Sequence, residues 1–112
     1  MKRQISAYGN YFLDFYEKQD SKTKEKIDYV IDMVKHVRQV PIKFLKHLEG
    51  TDGLYEIRVS TSNKIIRIFC FFDSGRLVIL TNCFIKKTQK TPRKELKMAL
   101  KLMQEYFDSK IK

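Results

Sequence analysis

Between Leu54 and Ile85 the apolar residues of this chain stop recurring every three or four positions and begin to recur every two. LYEIRVS, NKIIRIFCFFD and RLVILTNCFI are apolar, β-branched and aromatic runs, broken by STSN and DSG. Such runs predict three strands joined by short turns. Pairing is then local, and an antiparallel meander follows. The rest of the chain has to cover that sheet.

The alternation assigns its faces. In the first run Tyr55, Ile57 and Val59 alternate with Glu56, Arg58 and Ser60; in the second Ile66, Ile68, Cys70 and Phe72 alternate with Ile65, Arg67, Phe69 and Phe71. An arginine is costly on a dry, helix-covered face. Arg58 and Arg67 therefore belong on one open face, with Tyr55, Ile57, Ile66 and Ile68 packed under helices. The third run is apolar on both sides, as expected of a central or deeply covered strand.

Before the meander, KRQISAY gives a weak strand signal, and Phe12, Phe15 and Tyr16 mark one face of a short helix from about Asn10 to Gln19, with Asn10 as a cap. After Asp20 and Ser21, the stripe Ile27, Val30, Ile31, Val34 and Val37 defines a second, amphipathic helix. Pro41 ends or redirects it, and IKFLKHLEG offers at most a helical turn before the Gly50 to Gly53 loop. Beyond the meander, Thr91 as cap, Pro92 at the first helical position and Glu95 in the first turn announce a last helix. Leu96, Ala99, Leu100, Met103 and Phe107 form its apolar stripe. The expected class is α+β in the order β-α-α-β-β-β-α, as one domain over residues 1–112, with no internal repeat or linker.

Charge narrows the partners. The 112 residues carry a net charge of +10. Residues 86–112 alone hold 9 basic and 3 acidic side chains, more than half of the excess. That field attracts nucleic acid, an anionic membrane or an acidic protein segment. The N-terminus MKRQISAYGN lacks a stretch for a signal peptide or membrane span, which predicts a cytoplasmic protein without a membrane partner. Cys70 and Cys83 fall within strands, without CxxC spacing or nearby ligand-spaced histidines, and read as buried free thiols. P-loop, GxGxxG, HExxH and GxSxG signatures are missing, so an ATPase, dehydrogenase or zinc hydrolase finds no support.

The basic residues form the strongest constellation: Arg58 and Arg67 on one sheet face, Lys86, Lys87 and Lys90 beyond the last strand, and Arg93 and Lys94 at the helix start. Brought together, they make a trough that holds phosphates bidentately through arginine and neutralises them through lysine. Such a trough suits RNA cleavage by the 2′-OH, which needs a base, cations at the scissile phosphate and an acid for the 5′-oxygen. No metal or other cofactor is required. Proton-transfer groups are harder to read. Glu56 is a base or, with more weight, a structural partner of the arginines; Lys86 or Lys87 is the candidate proton donor; His36 and His47 have no link in sequence to the basic face. Phe69, Phe71 and Phe84 are candidates for stacking on an unpaired base, although core packing is the commoner role for each.

LYEIRVS followed by IIRIFCFFDSGRLVILTNCFIKKTQKTP resembles the phage-derived Gp49-like, HigB-type branch of the RelE/ParE toxin superfamily, over almost the whole chain. The resemblance implies a RelE/ParE-like fold: an antiparallel sheet with an N-terminal helical hairpin and a C-terminal helix. It implies the toxin of a type II toxin-antitoxin system, a ribosome-dependent, metal-independent mRNA interferase that cuts translated messages in the A site. Its implied partners are a cognate helix-turn-helix antitoxin, the 70S ribosome with mRNA, and operator DNA only as a toxin-antitoxin complex. The family's sheet-face arginines match Arg58 and Arg67, and its basic segment matches Lys86, Lys87 and Lys90, with Thr88 and Gln89 between. Lys46 matches a further basic position.

The chain also departs from the pattern. Some relatives carry a catalytic histidine or tyrosine near the chain end, whereas MQEYFDSKIK offers only Tyr106, and Cys70 stands where an aromatic residue is usual. The superfamily includes ParE-like inhibitors of DNA gyrase that cleave no RNA, so a noncatalytic gyrase inhibitor or a degenerate nucleic-acid- or protein-binding module is the alternative.

Overall fold

A computed structural model describes residues 2–110. In chain order the elements are β1 (Gln4–Ala7), α1 (Tyr11–Glu17), α2 (Ser21–His36), β2 (Leu45–His47), β3 (Leu54–Ser60), β4 (Ile65–Asp73), β5 (Leu77–Ile85) and α3 (Arg93–Ser109). The five strands form one sheet in the order β1-β5-β4-β3-β2. The expected order holds with one added strand, β2. Its three residues pair antiparallel with Ile57, Glu56 and Tyr55, in a stretch where the sequence promised at most a turn of helix. Three residues are too few to display a period, and it is the open edge of β3 that makes them a strand.

The meander forms as expected, with Arg58 directly opposite Arg67 and Ile57 opposite Ile68. Its second turn is closed by Ser74 and Gly75, at φ 55° and 78°, where glycine carries no Cβ penalty. The sheet as a whole is mixed, because β1 joins β5 in parallel, Gln4 opposite Leu77. Between Ile68 and Cys70 the β4–β5 register shifts, so that Phe69 faces both Thr81 and Asn82. This bulge turns Asn82 towards α3, where its Nδ2 donates to the Glu95 carbonyl and to Glu95 Oε1, both at 3.0 Å.

Each face has its own cover. On one, the helical hairpin buries Ile27, Val30 and Val34 against Ile57, Val59, Ile66, Ile68 and Cys70. Full burial of each such side chain contributes roughly 1.5–3 kcal/mol. Asp20 caps α2, accepting from the Thr23 amide at 2.8 Å. Val37 ends the expected stripe differently: it follows the helix and is exposed, while its carbonyl accepts from the Arg3 guanidinium at 2.6 Å. On the opposite face α3 covers Leu54, Phe69 and Phe84 through Leu96, Ala99, Leu100 and Met103. The start of α3 differs from expectation. Pro92 is itself the cap residue and makes no side-chain cap bond, so Thr91 does not cap this helix.

Candidate nucleic-acid interface

Beside the apolar residues that α3 covers, the same sheet face carries charge. Glu56, Arg58 and Arg67 all project from it, as alternation requires, with Glu56 opposite Phe69, Arg58 opposite Arg67 and Phe84 on the other side of Arg67, so the face is not the open one that alternation alone suggested. Glu56 Oε2 lies 3.2 Å from Arg67 Nε, and Glu56 Oε1 lies 3.7 Å from an Arg58 terminal nitrogen. The carboxylate side chain is 3% exposed, against 25% for Arg58 and 11% for Arg67. One buried acid thus holds two cations that would otherwise repel across the ladder.

The holding is incomplete. Glu56 Oε2, Arg58 Nε and Arg67 Nε are buried without a hydrogen-bond partner, the 3.2 Å ion pair being too poorly angled to count as one. Burial pulls the Arg67 guanidinium below its ordinary pKa; attraction to Glu56 opposes this, and repulsion from Arg58 adds to it. Arginine nonetheless stays charged at neutral pH. Arg67 Nη1 also donates to the Ile66 carbonyl at 3.2 Å.

Arg67 opens into a cavity of about 420 Å³ that it shares with Ile65 and with Lys86, Lys87, Thr88 and Gln89 of the segment after β5. That segment is anchored at its start, where the Lys86 amide donates to the Ile65 carbonyl at 2.6 Å, and tightened by Thr88 Oγ1 donating to the Lys90 carbonyl at 2.9 Å. The first tie carries the β4–β5 ladder one residue further and the second turns the loop on itself, which leaves Lys86 and Lys87 in the wall beside Arg67. The result is a concave patch with three positive charges, sized for a phosphate with its adjoining sugar or base. Ile65, 44% exposed, supplies an apolar wall that the sequence reading did not single out. Its signal was there: Ile65 lies two residues before Arg67 on one strand and must share its face.

The other candidates lie apart from this cavity. Lys46 is opposite Glu56 in the ladder without an ion pair to it among the described residues, while Lys90, Arg93 and Lys94 are exposed outside the cavity lining. Phe69 corrects an expectation. It is fully buried and packs against Phe84, with ring centroids 5.6 Å apart, because α3 reaches over this part of the sheet; it has no face left for a base. Phe71 is likewise buried, between Tyr106 and Phe107. Glu56 lies beneath the arginines rather than beside open space, and its geometry is that of their partner rather than of a base.

His36 is paired with Asp32 at the end of α2, and His47 packs against Tyr55 on the opposite sheet face. Tyr106 belongs to another site: its hydroxyl donates to Asp73 Oδ2 at 2.6 Å, and Lys110 pairs with the same oxygen. Asp73 is six residues from Arg67 along β4, roughly 20 Å. Cys70 and Cys83 are free thiols, and burial raises the pKa of both. Among the described residues, no helix is long and apolar enough to cross a membrane, and no cluster of three His, Cys, Asp or Glu could hold a metal ion.

The sequence profile of the family described as Phage derived protein Gp49-like (DUF891) matches residues 14–104, which takes in the end of α1, all of α2, the meander, the basic segment and most of α3. The chain belongs to this Gp49-like family. A search of curated proteins finds no match. Among solved structures, this Gp49-like chain is similar to a double arginine-to-alanine mutant of the Escherichia coli toxin RelE in the free state, with a TM-score of 0.64 and 17% identity over 90% of this chain and 97% of that one. It is also similar to the archaeal RelE–RelB complex of Pyrococcus horikoshii OT3 (TM-score 0.57, 15% identity, 76% of this chain and 96% of that one). The RelB–RelE antitoxin–toxin complex of Methanococcus jannaschii gives a TM-score of 0.51 at 15% identity, over 81% and 93% of the two chains. At these identities the likeness establishes the fold: the Gp49-like chain has the RelE architecture.

Proposed function

We propose that this protein is the toxin of a toxin-antitoxin pair and acts as an endoribonuclease on messenger RNA engaged by the ribosome. The observation that carries the reading is the cavity in which Arg67, held by Glu56 beside Arg58, meets Lys86 and Lys87. Cleavage proceeds by in-line attack of a 2′-oxygen on the adjacent phosphorus. The P–O5′ bond breaks, the 2′-OH proton passes to water, the 5′-oxygen gains one, and a 2′,3′-cyclic phosphate and a 5′-OH result. Arg67 and Arg58 stabilise the extra negative charge at phosphorus, and Lys86 or Lys87 protonates the leaving oxygen.

These groups are all cations, which fits an enzyme whose substrate is oriented, and its reaction assisted, by the ribosome. The shared fold with RelE structures solved alone and with RelB supports both the toxin reading and an antitoxin partner. A helix-turn-helix antitoxin would cover the basic face, and operator DNA would be bound by the pair.

The test is a translation reaction containing purified protein, with message ends mapped by primer extension beside controls of message alone and message on non-translating ribosomes. New ends only during translation are expected. Intact messages from a folded, ribosome-binding protein would overturn the proposal.

A further inference from the structure

The Arg67 cavity does not end at Lys87. It shares Ile65, Lys86 and Lys87 with a second cavity of about 680 Å³ that passes under the turn joining β3 to β4. That one in turn shares Ser60, Thr61 and Ser62 with a third, of about 590 Å³, whose far wall is α2. The three adjoin one another around the hairpin tip as open hollows of the surface rather than enclosed cavities.

The far end has the chemistry of a single-strand site. Tyr29 is 57% exposed, with the Lys26 ammonium 5.3 Å from its ring centroid. Lys22 and Lys26 line the cavity with it and form no ion pair among the described residues, whereas nearby Lys24 and Lys64 are paired with Glu17 and Asp20. Glu25 is the one acidic residue in the lining. The opposite wall offers the hydroxyls of the exposed Ser60 and Ser62. An exposed ring beside free ammonium groups and hydroxyls is what base stacking with backbone neutralisation requires.

The row of hollows is also held in shape. Lys64, in the turn, reaches Asp20 at 3.6 Å, Gln19 Oε1 at 3.3 Å and Thr23 Oγ1 at 3.4 Å, tying the hairpin tip to the start of α2. Thr61 Oγ1 accepts from the Lys64 amide at 3.0 Å and fixes the turn itself.

We infer that Tyr29, Lys22 and Lys26 form a second subsite for single-stranded RNA, occupied by the same strand that enters the Arg67 cavity, with a base stacked on Tyr29. The inference rests on the RNA reading of that cavity. The strand passes from Arg67 over Lys86 and Lys87, round the 60–62 turn, to the α2 face.

The experiment measures anisotropy of fluorescein-labelled, unstructured 2′-O-methyl RNAs of about 4 and about 12 nucleotides binding to the full chain, the methyl groups preventing cleavage. The longer RNA is expected to bind more tightly, and Tyr29→Ala to weaken it about tenfold, within the range for loss of one stacked base. Tyr29→Phe should retain the affinity, and Lys22→Gln with Lys26→Gln should lower the salt slope by ~0.7 per lysine. Equal binding of the two lengths, or a Tyr29→Ala protein that is folded by circular dichroism and binds the longer RNA as wild type does, overturns the subsite. Arg67→Ala separates the two readings. Loss of short-RNA binding in that variant without any effect of Tyr29→Ala on the longer RNA sinks the subsite alone. Dependence of the longer RNA on Tyr29 with no effect of Arg67→Ala on either length sinks the cavity assignment and the single continuous strand, and wild type that binds neither RNA sinks both.

Discussion

Arg58 and Arg67 stand directly opposite one another in the β3–β4 ladder, like charges on adjacent strands, with the Glu56 carboxylate between them. The ladder places them there because both alternate out of the face that the helical hairpin buries. Glu56 is therefore the keystone of the patch, and losing it is expected to do more harm than losing either cation.

For Glu56→Ala the expected cost is about 3 kcal/mol, the low end of the range for removing one partner of a buried ion pair. Urea unfolding of that variant and of wild type measures it. Unchanged stability would mean that the arginines are solvated well enough to need no partner.

Arg67→Ala should cost the fold less than Glu56→Ala does, because Glu56 keeps its pair with Arg58, and should cost cleavage more. Its cleavage of translated messages is expected to fall ~10²–10³-fold, the usual effect of removing a donor aimed at transition-state charge. A folded Arg67→Ala protein that cuts at the wild-type rate removes Arg67 from the mechanism.

Lys86→Ala combined with Lys87→Ala tests the segment after β5. Ribosome association should weaken and lose part of its salt dependence, since each phosphate contact to single-stranded RNA contributes ~0.7 to the slope. The same association constant across a salt titration would place these lysines outside the interface.

Phe69 distinguishes a core residue from a binding one. Phe69→Ala is expected to cost about 3–5 kcal/mol through the cavity it leaves under α3. Phe69→Leu, which keeps most of the apolar volume, should bind RNA as wild type does; selective loss of RNA affinity in a stable Phe69→Leu protein would return the ring to the interface.

Asp73 carries a pH dependence. Hydrogen bonds from Lys110 and Tyr106 hold its carboxyl below the ordinary value of 3.8. A group depressed on folding contributes stability that is complete above its unfolded pKa and lost as pH falls through the folded one. The melting temperature should therefore drop on acidification below about pH 4, with a shallower drop in Asp73→Asn, as thermal melts between pH 2 and 7 would record. Parallel curves for the two proteins would take Asp73 out of the acid transition.

How much of this was legible in the sequence differs between elements. The meander, its faces and the placing of Arg58 beside Arg67 follow from period-two alternation, which has one solution once one face is buried. The cavity follows less directly: Lys86 and Lys87 could be named, but that they line one hollow with Arg67 depends on how far the β4–β5 ladder runs, to the Lys86 amide on the Ile65 carbonyl, and that leaves no composition signal. Strand β2 was invisible because it owes its form to a neighbour. Phe69 was misplaced for a different reason. It shares a face with the arginines, and alternation cannot say how far along that face α3 extends. The cap at Pro92 shows the limit of local motifs, since Thr91 has the right chemistry at a position the backbone does not use.

The parallel pairing of β1 with β5 imposes an order of events. Gln4 finds its sheet partner at Leu77, so the first strand has nothing to pair with until the last strand exists. Closing a span of that length comes late, after the local hairpins have formed. During synthesis the helical hairpin therefore waits, its apolar face without the sheet it will cover. A chain interrupted before β5 would lack both the seat for its N-terminus and the lysines that follow, and could not complete its fold.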